Sequence, residues 1–240
     1  GIDTAREGYT VAVAPGTYAE SIDFCGKGVT VAGLNGAPTL TAPDEYAVSC
    51  YSAEGPNSVL KNFVITGSDV GVFIAGSSPT IRNVTIAGNE FGIAAYAGAK
   101  PDILNCILWN NRDGDLFGCT ATYSCIQEGL EGLGNLHVDP LFADTTSGDF
   151  HLLSEKGRYV AAYGLWAFDN QTSPCIDAGD PEMDVLAERT PNGARIDMGA
   201  FGGTPEASIS RWPLTGDLDQ DGSVDFRDLA ILAEEWLSKL

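Results

Sequence analysis

The sequence predicts an all-β protein, a right-handed parallel β-helix that ends in one short α-helical segment. Three observations lead there. Similar segments recur every 21 to 22 residues. Each holds two or three short runs rich in β-branched side chains, divided by Gly, Asn, Ser or Asp turns. The composition, 29 glycines and 44% hydrophobic residues in a chain of 240, suits many turns around a substantial core.

Taken in chain order, the first strand is Thr10-Val11-Ala12-Val13-Ala14, and Val29-Thr30-Val31-Ala32-Gly33 is an early copy of the repeat followed by a longer loop. Three segments then superimpose: Asn62-Phe63-Val64-Ile65-Thr66-Gly67, Asn83-Val84-Thr85-Ile86-Ala87-Gly88 and Asn105-Cys106-Ile107-Leu108-Trp109-Asn110. A proline keeps step before each, at Pro56, Pro79 and Pro101. Gly71-Val72-Phe73-Ile74 and Gly92-Ile93-Ala94-Ala95 follow the first two, and Tyr123-Ser124-Cys125-Ile126 is the last copy. A unit this small cannot bury its own apolar face, whereas stacked coils can, their strands pairing in parallel about 4.8 Å apart. Propeller blades need about 40 to 50 residues, roughly twice this period. Val64, Thr85 and Ile107 are expected to stack as an inward ladder. Asn62, Asn83 and Asn105 are expected to bond side chain to side chain at one corner.

The formal charge is −20, from 13 Lys and Arg against 33 Asp and Glu, with a pI near 4.1. Such a chain offers no basic patch for nucleic acid and repels an anionic membrane surface. No run of 18 apolar residues occurs to span a bilayer. The start, Gly1-Ile2-Asp3-Thr4-Ala5-Arg6, shows neither Met nor a signal peptide, so a natural beginning upstream is expected.

Gly8-Tyr9-Thr10-Val11-Ala12-Val13-Ala14-Pro15-Gly16-Thr17-Tyr18 resembles the first coil of secreted pectate-lyase-like β-helix proteins, and Ile2 to Arg6 resembles the tail of their capping helix. Further on come Gly134-Asn135-Leu136-His137-Val138-Asp139-Pro140-Leu141-Phe142, Gly148-Asp149-Phe150-His151-Leu152, Ser173-Pro174-Cys175-Ile176-Asp177-Ala178-Gly179-Asp180 and Arg195-Ile196-Asp197-Met198-Gly199-Ala200-Phe201. Together these resemble the choice-of-anchor-Q region that closes many bacterial surface β-helices. The resemblance implies a secreted or surface protein associated with polysaccharide, and no particular reaction. It divides the chain into coils over 1–133, a closing region over 134–208 and a C-terminal module over 209–240.

In that module, Asp217, Asp219, Asp221, Asp225 and Asp228 fall at loop positions 1, 3, 5, 9 and 12, with the Ser223 carbonyl at 7 and Gly222 at the sharp turn. Five carboxylates in twelve residues repel one another unless a hard cation sits among them, so Ca²⁺ is the expected ligand. Phe226, Leu229, Ala230, Leu232, Ala233 and Trp236 then recur at helical spacing. Asp at position 12 and the absence of an entering helix make the segment similar to one dockerin type I repeat. That resemblance implies a cohesin-like or other surface partner, although dockerins carry two repeats and this chain carries one.

Catalytic residues are harder to assign. Asp69, Glu90 and Arg112 stand 21 and 22 residues apart in one outer-turn column, which would set two carboxylates about 5 Å apart, as in a retaining glycosidase. Arg112 could neutralise a uronate, or act as a base if its pKa fell. An exposed turn column of charges is equally the ordinary surface of a solenoid. His137 and His151, the only histidines, read as packed or surface residues. Trp109, Tyr96, Phe73 and Phe91 offer sugar-stacking faces or fill the coil. Cys25 with Cys50, and Cys106 with Cys125, could face across neighbouring coils, as buried thiols or as disulfides, and the sequence leaves the pairing of these and of Cys119 and Cys175 open. The leading expectation is a polysaccharide-associated scaffold at the cell surface. A lyase or hydrolase, and a subunit that self-associates by end-to-end coil stacking, are the alternatives.

Overall fold

The computed structural model describes residues 1–42, 45–185, 187–210 and 226–237. A single 3₁₀ turn, Ile2–Thr4, precedes a parallel β-solenoid. The first coil holds β1 (Thr10–Val13), β2 (Thr17–Tyr18) and β3 (Ile22–Asp23), and the second β4 (Thr30–Gly33), β5 (Thr39–Leu40) and β6 (Tyr46–Cys50). The third holds β7 (Val59–Ile65) and β8 (Val70–Ala75), and the fourth β9 (Thr80–Ala87) and β10 (Phe91–Tyr96). The fifth holds β11 (Asp102–Leu104), β12 (Ile107–Trp109) and β13 (Gly114–Phe117), and β14 (Cys125–Ile126) begins a sixth. One parallel sheet runs β1-β4-β7-β9-β12-β14 and a second runs β3-β6-β8-β10-β13. The register keeps the repeat: Val59 faces Thr80, which faces Asp102, and Ile65 faces Ile86, which faces Leu108.

The asparagine column explains how a strand turns a corner without ending. Asn62, Asn83 and Asn105 have φ of 59°, 49° and 55°. Asn tolerates this left-handed conformation better than most residues. Before it, Leu60, Ile81 and Ile103 point into the lumen; after it, Phe63, Val84 and Cys106, then Ile65, Ile86 and Leu108, do so again. The residues between, Val64, Thr85 and Ile107, therefore point outward, contrary to the inward ladder the repeat suggested.

They are buried nonetheless, because the closing region covers them. It contains two hairpins, β15 (Phe142–Asp144) with β16 (Asp149–Leu152) and β17 (Arg158–Val160) with β18 (Leu165–Ala167), followed by a long irregular segment. Val64 packs with Phe150 and Ala200; Ile107 packs with Leu152, Cys175, Ile176 and Met198. Gly199 has φ of +86°, and a Cβ there would meet Ile107 Cδ1 at 2.7 Å, so glycine permits the close approach.

The asparagines bond that segment, not one another. Asn62 Nδ2 donates to the carbonyls of Ala200 and Gly202 (3.0 and 2.8 Å), and Asn83 Nδ2 to that of Asp197 (2.9 Å). Asn105 accepts from the Asp180 amide (2.7 Å). A side-chain ladder of the expected kind does exist at another corner. Asn89 Oδ1 accepts from Ser68 N, and Asn111 Oδ1 accepts from Asn89 N and Nδ2, each at 3.1 Å.

The six cysteines are thiols, and the register sets Cys125 level with Ile107 rather than with Cys106. Cys125 instead lies in hydrogen-bonding contact with Cys175, joining the last coil to the closing region. Helix α1 (Phe226–Leu237) forms as the periodicity predicts. Among the described residues, no helix is long and apolar enough to cross a membrane.

Candidate functional site

The outer-turn column forms. Phe91 N donates to Asp69 O and Asp113 N to Glu90 O (2.9 and 2.7 Å), so these turns stack one above another. Asp69, Glu90 and Arg112 line one shallow cleft of about 360 Å³. Its chemistry differs from the expectation in one respect. Arg112 pairs with Glu90 at 2.7 Å and with Asp113 at 3.1 Å. Hydrogen bonds and charge from Asp113, then from Glu90, push the Arg112 pKa further up, opposite to what a base requires. Glu90 is thus engaged by a cation on its own surface.

The second sheet presents a different feature on its outer face. Tyr46, Phe73, Tyr96 and Phe117 come from four successive coils and stack with ring centroids 4.4, 5.8 and 5.1 Å apart. Small residues make room for them: Ser49 and Ala94 share the outward row with Phe73 and Phe117. Tyr46, Tyr96 and Phe117 are 43, 47 and 50% exposed. Tyr96 is tilted 35° and 39° from its two neighbours, so neither ring fully covers its face. Phe73 and Tyr96 therefore lie outside the coil. Trp109 packs half-buried against the closing region, and Phe91 is half-buried at the start of β10. Tyr46 and Phe117 escaped sequence reasoning because they lie in coils whose repeats are distorted by loops.

His151 is 3% exposed and stacks on Phe201 at 3.6 Å. Its Nδ1 lies 2.6 Å from Asp149 and its Nε2 3.6 Å from Glu206. His137 is exposed, with Nδ1 3.2 Å from Ile126 O. Among the described residues, neither is hydrogen-bonded to a serine, threonine or cysteine side chain, which fits the packed and surface readings. Of the expected calcium ligands, Asp217, Asp219, Asp221, Ser223 and Asp225 lie outside the described residues, and Asp228 belongs to α1.

A further group was not anticipated from the repeat. Asp177, Glu188 and Asp197 each offer an oxygen within 4.8 Å of the others, in the closing segment over the asparagine column. Glu188 Oε1 accepts from the amides of Asp197 and Gly203 (2.9 and 2.8 Å), and Asp197 Oδ1 from that of Asp177 (2.8 Å). Loss of solvation pushes Asp177 up to about 6, Glu188 up to about 7, and Asp197 well above the carboxylate range, with repulsion from the neighbouring carboxylates adding to it at Glu188 and Asp197. Like charges this close repel by roughly 3 kcal/mol per pair at an effective dielectric near 20. Their wide sequence spacing, unlike that of a calcium loop, left no signal to find them by.

Among protein families, residues 77–179 match the family model described as "Disaggregatase related", a stretch that covers the fourth coil through the start of the closing segment. No curated protein and no solved structure matches the chain.

Proposed function

We propose that the protein is an extracellular or cell-surface scaffold that holds polysaccharide against the outer face of its second sheet. The observation that carries this reading is the four-ring ladder, whose Tyr46, Tyr96 and Phe117 rings are half-exposed in one contiguous apolar row. Aromatic faces and edges take the C–H faces of sugars. The neighbouring cleft with Asp69, Glu90 and Arg112 supplies donors and acceptors for hydroxyl groups. The charge of −20 favours neutral over strongly acidic glycans. The partial match to a disaggregatase-related family suits a chain that coats a polymer and so separates what that polymer joins. The loop from Asp217 to Asp228 would hold Ca²⁺, and the helix after it, with Phe226, Leu229 and Trp236 exposed, would meet a cohesin-like surface partner.

The test is retardation of the full chain in gels containing neutral or acidic polysaccharides, with and without Ca²⁺. A neutral glycan should slow the protein, and Tyr96→Ala or Phe117→Ala should weaken binding about tenfold, the equivalent of ~1.4 kcal/mol. Unchanged binding in both variants, or none to any glycan, would reject the ladder as the site. The shared cleft favours a second reading, a lyase or hydrolase. Soluble unsaturated or water-added oligosaccharides, lost in Glu90→Gln, would establish it.

A further inference from the structure

We propose that Asp177, Glu188 and Asp197 form a second, structural divalent-cation site, suited to Ca²⁺, that clamps the closing segment onto the solenoid. The inference is independent of the glycan reading and of the C-terminal loop. Proximity of carboxylates would not suffice; the decisive observation is how their oxygens are used. Asp197 and Glu188 are 2 and 8% exposed. Each commits one oxygen to backbone amides and leaves the other, Oδ2 and Oε2, buried without a hydrogen-bond partner among the described residues. Asp177 Oδ1 is buried and unpartnered in the same way.

Two of the three carboxylates, those of Asp197 and Glu188, are held by backbone amides. The Asp177, Asp197 and Gly203 amides fix the carboxylate planes from behind. Of the two guanidiniums in this segment, Arg195 donates to the carbonyls of Ala178 and Gly179, and Arg189 lies over the Trp166 ring. Oxygens bound to one Ca²⁺ at about 2.3–2.6 Å can lie no more than about 5 Å apart, and one oxygen from each of the three carboxylates lies within 4.8 Å of the others. An all-oxygen, all-carboxylate set selects a hard cation over zinc or copper. The clamp would act directly on the fold, since the Asp197 carbonyl accepts from Asn83 of the fourth coil.

The test uses the full chain with Asp217→Asn, Asp219→Asn and Asp221→Asn, so that remaining Ca²⁺ binding reports on this site alone. After EDTA and dialysis, calorimetric titration with Ca²⁺ should give one ion per chain, a higher Tm, and slower amide exchange across residues 177–203. Adding Asp197→Asn, or Glu188→Gln should the first fail to fold, should weaken binding at least tenfold. The metal-free Tm should not fall, because Asn and Gln keep the oxygen that accepts from the backbone amides and bring no charge to be desolvated. No Ca²⁺ uptake, exchange protection confined to other residues, or undiminished binding in the folded variants would overturn the proposal.

Discussion

At His151, the balance of burial and charge sets a pH dependence. Burial alone would disfavour the imidazolium, yet hydrogen bonding and charge from Asp149 and Glu206 outweigh it and raise the pKa. Asp149 is itself held by Arg158 at 3.2 Å, and its pKa is lowered despite burial. A group whose folded pKa is raised stabilises the protein fully below its unfolded value, about 6.5, and that stability is lost as pH rises through the folded value. Urea unfolding at a series of pH values should therefore show stability declining above about pH 6.5, more steeply than in His151→Gln. Equal slopes in the two proteins would show that His151 is not linked.

Among the elements, β7, β9 and β12 are buried on both faces, which the runs Phe63-Val64-Ile65 and Cys106-Ile107-Leu108 record as uninterrupted hydrophobicity. A solenoid whose outer face met water would alternate instead. Val64→Thr, placing an unpaired hydroxyl between the sheet and Phe150, should cost about 1–3 kcal/mol. Lys61→Thr, on the same strand before the corner, should stay within about 0.5 kcal/mol. Denaturant midpoints measure both, and equal effects would mean the closing region does not seal that face.

On the scale of the molecule, coils and closing region share their cores and the asparagine bonds, so they should unfold together. Asn83→Ala strands the Asp197 carbonyl and puts alanine at φ near 49°, for a combined cost of about 2–4 kcal/mol. Hydrogen exchange in mild denaturant should lose protection in β9 and β16 at the same concentration, in the variant as in the parent chain. Separate transitions would make the closing region an independent unit.

The sequence by itself determined the parallel solenoid, its period and its strand pairs, through the repeat, and the C-terminal helix, through its own apolar period, because each follows from local spacing of apolar residues, turns and prolines. It could not say which alternate residues face the lumen. One left-handed residue at each asparagine resets the alternation, and residues such as Val64 are apolar under either orientation. The partners of the asparagines, the outward ladder that includes Tyr46 and Phe117, and the meeting of Asp177, Glu188 and Asp197 were decided only by the tertiary structure. All depend on contacts between segments far apart in the chain, where spacing carries no distance information.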